Sequence, residues 1–207
     1  MDRKLAVKKL SKLVGSDLLS LARTYKVSVT GPSGKVNKGW AGHTIERYLG
    51  LPLNSSQAPN FGSWELKVVP LKKLNSGQLV VKETMAVTMI DPVHLRVTPF
   101  EKSHLRTKLH RAVIVARIVG ADVTRPSLIH SISVFDLSDE TYRIVKRDYE
   151  EIRKCVSDKR RGFSHLSGAM GTYIQPRTKG SGHGSTSRAF YARKVFVAKA
   201  LGLSVET

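Results

Sequence analysis

The sequence predicts an α/β (α+β) chain of helices and short strands. Three observations lead there: helix-like patterning at the start of the chain, a middle section of short β-branched runs, and one long amphipathic helix toward the end. Residues 1 to 25 read as two short helices, RKLAVKKLSKLV and SDLLSLARTYK. Leu5, Leu10, Leu13 and Val14 give the first an apolar side among lysines, and Ser16 and Asp17 are placed to cap the second. TGPSGKVNKG breaks the pattern with Gly and Pro. WAGHTIERYLGL then resumes helical spacing through Trp40, Ile45, Tyr48 and Leu49, and the loop PLNSSQAPNFG follows.

SWELKVVPL and GQLVVKETMAVTMID read as consecutive strands joined by the turn KKLNSG. A side-chain period of two places Trp64, Leu66 and Val68 on one face and Glu65, Lys67 and Val69 on the other. EKSHLRTKLHRAVIVARIVG begins as a helix and ends as a strand. SDETYRIVKRDYEEIRKCVSD is the long helix, with Ser138 as candidate cap and Asp139 and Glu140 in its first turn. The tail adds two short strands around TYIQPRTKGSGHGS and a last helix, RAFYARKVFVAKALG. With no internal repeat and no linker, one domain over residues 1–207 is expected, with room for two lobes about a cleft.

At 41% hydrophobic, 207 residues can bury a full core, which excludes a disordered tail. Lys and Arg number 35 against 16 Asp and Glu, a formal charge of +19, and a field of that sign attracts polyanions, nucleic acid first among them. An anionic membrane is the rival partner, but no run approaches the ~18 apolar residues of a spanning helix, and the N-terminus lacks the continuous apolar stretch of a secretory signal. The single cysteine, Cys155, excludes an internal disulfide and fits a reducing cytoplasm; its helical setting, EEIRKCV, marks a packed thiol. His104, His110, His130 and His183 are too scattered for a zinc site.

A carboxylate and a lysine one residue apart on a strand suit metal-assisted phosphodiester cleavage, the carboxylate holding Mg²⁺ beside the phosphate and the ammonium stabilising charge or orienting water. Taken alone, Glu65-x-Lys67 equally describes an ordinary solvent-facing strand. Its setting is more specific. NKGWAGHTIERYLGL, PNFG, WELKVVPL, ETMAVTM and FEKSHLRTKLHRAVIV, in that order, followed by RDYEEI, YIQPRTKG and RAFYARKVFVAKAL, resemble the segments of the MutH family of mismatch-repair nicking endonucleases and its relatives among GATC-cutting restriction enzymes. The resemblance runs from about Lys38 to Leu201.

It implies a PD-(D/E)xK nuclease with a restriction-endonuclease-like fold, a mixed β-sheet flanked by helices, cutting double-stranded DNA with Mg²⁺. By that resemblance Glu65 is a metal-ligating carboxylate, Lys67 the catalytic lysine, Glu46 a supporting acid and Lys108 a further basic residue of the active site. The family's Asp before the E-x-K strand is Asn60 here, so the metal pair Asn60 and Glu65 has one formal negative charge fewer. An inactivated variant of a native Asp, a naturally inactive reader, and a site in which Glu46 supplies the charge all fit that substitution. The spacing from Asn60 to Glu65 is also shorter than in MutH.

YIQPRTKGSGHGSTSR is a basic, Gly-rich segment suited to a DNA groove, or to phosphates alone. Arg177 matches the family and could take a guanine edge; Lys179 could reach base or phosphate; Tyr191 matches a DNA-facing tyrosine, while Phe190 and Phe196 read as core. Lys38, Arg188, Arg193 and Lys194 are phosphate candidates. The expectation is a cytoplasmic, sequence-specific, Mg²⁺-dependent DNA endonuclease of restriction type, monomer or homodimer on a short GATC-like site. A mismatch-repair nicking enzyme and a non-catalytic DNA-binding domain of a larger nuclease are the alternatives, and an RNA-binding protein accounts for little beyond the charge.

Overall fold

The computed structural model describes residues 1–50, 62–120, 122, 125–158, 160–180 and 186–203. The expected architecture is present, a mixed sheet with helices on both faces; beyond that expectation there is a second, smaller antiparallel sheet. The first three helices are α1 (Arg3–Ser11), α2 (Leu18–Thr24) and α3 (Trp40–Tyr48). Asp2 and Asp17 cap α1 and α2 by accepting backbone N–H groups of the first turn. The apolar side of α1 is narrower than the sequence suggested: Ala6, Leu10 and Leu13 are buried, while Leu5 and Val14 are each 48% exposed.

Strand β1 (Glu65–Lys73) lies parallel to β4 (Arg111–Ile118) and antiparallel to the short β2 (Leu79–Val81); β5 (Leu128–Asp136) runs antiparallel on the far side of β4. The order is β2-β1-β4-β5. Both faces are covered. Trp64, Leu66, Val113 and Val115 pack with α1, α2 and α3 residues such as Leu10, Leu18, Trp40 and Ile45. On the other face Val69, Leu71, Ala112, Ile114 and Ala116 join a larger core. Burial on both sides explains why β1 reads as an almost continuous apolar run.

The second expected strand, GQLVVKETMAVTMID, divides in two. Its first part is β2; its second, β3 (Met85–Ile90), leaves for the smaller sheet, where it pairs with β7 (Arg188–Ala192), which in turn pairs with β6 (Ile174–Thr178). The division falls at Lys82-Glu83-Thr84, where three polar residues interrupt the apolar alternation. The last expected helix is corrected too: RAFYA is β7, and only α7 (Lys194–Leu201) is helical. Phe190 and Ala192 alternate inward on β7 and Phe196 and Val197 on α7, so both periods fit one short stretch and the pairing with β3 and β6 decides.

The long helix α6 (Asp139–Ser157) buries Thr141, Val145, Asp148, Tyr149, Ile152, Cys155 and Val156 at helical spacing. Ser138 stands at its N-cap position but makes no cap bond to the backbone; its hydroxyl pairs with Thr141 Oγ1 at 3.0 Å. Cys155 is packed, as expected. Between β3 and β4 lie α4 (Pro92–Val97) and α5 (His104–His110). Aromatic contacts tie the two sheets to α6 and α7, among them Tyr149 to Phe190 at 5.6 Å and Phe135 to Phe196 at 5.5 Å between ring centroids. Among the described residues no helix is long and apolar enough to cross a membrane.

A buried brace sets the entry to β6. Asp148, fully buried on α6, accepts the N–H groups of Tyr173 and Ile174 at 2.6 and 2.9 Å. Gly171 has φ +71°, and a Cβ there would lie 1.9 Å from the Ile174 carbonyl oxygen, so no other residue fits the turn. Arg193 closes it, donating to the carbonyls of Gly171, Gly168 and Met170 at 3.0, 2.7 and 2.9 Å. Replacing Asp148 by Ala strands two buried donors, and an unfolding free energy lower by about 2–4 kcal/mol is expected in urea titrations. A loss well under 1 kcal/mol would show that water reaches the turn and that the brace is not closed.

Candidate active site

The strand β1 sets two ionisable side chains at its start. Glu65 and Lys67 share a face, as the period of two requires, and Lys67 Nζ donates to Glu65 Oε1 at 2.7 Å. That face is not in solvent. Glu65 is 1% exposed, and a second ammonium, Lys108 on the buried side of α5, reaches the same Oε1 at 3.3 Å. The ordinary exposed strand is therefore ruled out as a description of this pair. Ser103 caps α5 by accepting the Arg106 N–H and so fixes the helix that aims Lys108 at Glu65.

One carboxylate between two ammonium groups leaves a local excess of positive charge. Burial is the largest influence on Lys67, outweighing Glu65, and it holds the lysine below its ordinary range; Lys108 and Lys179 push in the same direction. Such a group releases its proton more readily than a surface lysine and faces a space in which negative charge is welcome.

That space is a cleft of about 460 Å³. Its walls are the start of β1, the first turns of α3, the start of β3, Lys108 of α5 and Lys179 beyond β6. It opens along β1 because β2 pairs only with Leu71–Lys73, so no strand of the sheet covers residues 65–69 on that side. Pro70, with no N–H to offer, sits where that pairing stops, and its carbonyl accepts the Lys82 N–H at 2.9 Å. Five cationic side chains line the cleft (Lys38, Lys67, Lys108, Arg117, Lys179) against three carboxylates (Glu46, Glu65, Glu83), a balance that favours a polyanion.

Of the residues singled out in the sequence, Glu46, Glu65, Lys67, Lys108, Lys38 and Lys179 meet at this cleft. Asn60 lies outside the described residues, as does His183. Arg177 and Tyr191 are neighbours on the smaller sheet: the guanidinium lies 5.8 Å from the Tyr191 ring centroid, and its Nη1 donates to Thr84 Oγ1 at 3.0 Å. Arg177 is exposed and held in one orientation by these contacts, a geometry suited to reading a base edge. Arg188 is half-buried on β7, with Nη1 directed at the Thr186 carbonyl at 3.5 Å, and Lys194 is exposed at the first turn of α7. Arg193 commits Nε and Nη2 to the turn before β6 and clamps it.

Glu83 and Arg117 were missed. Glu83 stands in the polar interruption between β2 and β3, and Arg117 is the one charged residue in the apolar run AVIVARIV, which was the available signal.

The donor chemistry fits a magnesium ion in one respect. Mg²⁺ keeps most of its waters and needs only one or two protein carboxylates together with substrate phosphate, and Glu65, Glu46 and Glu83 present hard oxygen donors to one cleft. Among the described residues there is no grouping of three or more His, Cys, Asp and Glu that could form a protein cage.

The family model of the DNA mismatch repair enzyme MutH matches residues 49–148. A DNA mismatch repair protein MutH of Haemophilus ducreyi is 28% identical over 208 aligned positions, covering 91% of this chain and 88% of the relative. That of Pasteurella multocida is 25% identical, covering 91% and 90%. Among solved structures, a complex of the restriction endonuclease MvaI with cognate DNA matches 88% of this chain and 95% of its own, at 13% identity and a TM-score of 0.38.

The lowered Lys67 has a consequence for stability. Between its folded value and the ordinary lysine value of 10.5, the unfolded chain binds more protons than the folded one, so stability rises with pH in that alkaline interval. Urea midpoints taken from about pH 8 to about pH 10 should rise more steeply for the native sequence than for Lys67→Met. Equal slopes would contradict the burial of this ammonium.

Proposed function

From the premise that the chain is a MutH-like family member, we propose that it is a DNA endonuclease acting on short duplex sites, with the cleft around Glu65 as its catalytic centre. The observation that carries this reading is Glu65, buried to 1% exposure and spanned by Lys67 and Lys108, in a cleft rich in cations. A stability role alone gives no reason for such a cluster, because removing two ammonium groups and a carboxylate from water costs several kcal/mol per ion before any pairing is counted.

In this reading Lys38 and Lys179 hold backbone phosphates on the cleft walls, and Arg177, braced by Thr84 and Tyr191, reads a base edge. Lys67 has two roles that its position allows. As the ammonium it stabilises charge gathering on the phosphoryl oxygens, and its readily released proton lets it orient or deprotonate the attacking water. The water oxygen bonds to phosphorus as the bond to the departing sugar oxygen breaks; the proton of the attacking water passes to the neutral Lys67 amine, and the sugar oxygen takes its proton from solvent water. Lys108 keeps the Glu65 carboxylate in place. Glu65 with the side chain at residue 60, supported by Glu46, would hold Mg²⁺, which when bound supplies Lewis-acid stabilisation of the phosphate. Asn60 weakens that set by one charge.

A GATC-like target comes with the MutH resemblance. The charge of +19 supports a restriction role, in which the protein engages DNA unaided, as monomer or homodimer, in the cytoplasm. The test is cleavage of a GATC-rich plasmid in Mg²⁺ by the protein with Asn60, by Asn60→Asp and by Asn60→Asp with Lys67→Ala. Restored charge at residue 60 should give cutting, and loss of Lys67 should lower the rate by about 10²-fold or more. No cutting of any mixed-sequence DNA by Asn60→Asp would make the protein a DNA reader without nuclease activity.

A further inference from the structure

The α3 side of the cleft contains a charge that the catalytic reading does not use. Arg117, at the end of β4, is partly buried with its guanidinium 5.0 Å from the centroid of the Trp40 ring, and its Nη1 donates to Ser127 Oγ at 2.7 Å. Ser127 is itself fixed, 3% exposed and donating its N–H to Asp17 Oδ1 at 2.8 Å. These contacts set the plane of the guanidinium without neutralising it. No carboxylate among the described residues forms an ion pair with it, and Glu83 acts on it only as a more distant charge. Its buried Nε has no hydrogen-bond partner.

A guanidinium withdrawn from water with no counter-ion and an unmet donor is costly, and the structure keeps it at the wall of a cleft already rich in cations. The helix beside it adds to the field. Gly39 stands at the N-cap of α3 with no side-chain cap, so the positive end of that nine-residue helix meets the same space at Ala41 and Gly42. Lys38 precedes it. A stacked, pre-oriented arginine suits a phosphate better than a mobile lysine does.

We propose that Arg117 is a phosphate-binding residue, seating a backbone phosphate of the duplex that flanks the one held at Glu65 and Lys67. Trp40 and Ser127 act as positioning residues for it. The proposal rests on the reading of this cleft as a DNA site, and it assigns the α3 wall to the substrate backbone, so that the duplex is gripped on both sides of β1.

The test is equilibrium binding of a fluorescent mixed-sequence duplex to the full chain without divalent metal, titrated with salt. One phosphate contact contributes about 0.9 to the slope of log affinity against log salt. Arg117→Gln, which can still donate to Ser127, should lose about that much slope and bind about tenfold or more weakly at low salt. Arg117→Lys should recover the slope, since it restores the charge. A packing role moves stability and leaves the slope alone, so an unchanged slope in a folded Arg117→Gln protein overturns the proposal. So does failure of both variants to fold, which would make Arg117 a core support. If the native sequence shows no salt-dependent duplex binding, the DNA reading of the cleft fails, a different result from either of these.

Discussion

The structure turns on a carboxylate that has been taken out of water. Glu65 keeps its place in the interior because two ammonium groups, Lys67 from its own strand and Lys108 from α5, converge on one of its oxygens. A lone buried carboxylate would cost several kcal/mol or take up a proton. The pairing therefore demands that β1 and α5 stay in fixed relation, and the cap at Ser103 and the parallel register of Glu65 with Ala112 enforce it. Two positive charges for one negative leave the centre short of an anion, and the cleft is shaped to admit one.

In the proposed function, the rest of the fold delivers a polyanion to that point. The main sheet is buried on both faces, which makes β1 rigid, yet β2 pairs only with its far end, which leaves the Glu65 end open at the edge. Opposite, the smaller sheet carries Arg177 and Tyr191, and the brace of Asp148, Gly171 and Arg193 fixes where β6 begins. In that reading, regular elements supply the charged and reading side chains alike, so little of the binding free energy is spent on ordering them.

Much of this was legible in the sequence, and what was not has physical reasons. The first three helices and α6 announced themselves by 3.6-residue spacing, and α2 by its aspartate cap as well; the Asp2 cap of α1 went unread. The pairing of Glu65 with Lys67 followed from the period of a strand, and the ordered MutH-like segments lifted it above an ordinary surface. The division of β2 from β3 was hidden because local alternation says nothing about which sheet a strand joins. Helix and strand periods overlapped in RAFYARKVFVAKALG, and only pairing with β3 and β6 separated them. Arg193 looked like one more basic residue of a basic tail; its three carbonyl partners come from a turn more than 20 residues away. Arg117 and Glu83 reach the cleft through tertiary contacts that no spacing encodes.

The central claim, that the cleft around Glu65 receives the DNA backbone, is tested most directly by a crystal structure of the full chain with a GATC-containing duplex in calcium. The account predicts a backbone phosphate within about 3 Å of Lys67 Nζ, the duplex running along the open edge of β1, and Arg177 in a groove. A duplex bound on any other face, with the cleft at Glu65 holding only solvent, would contradict it.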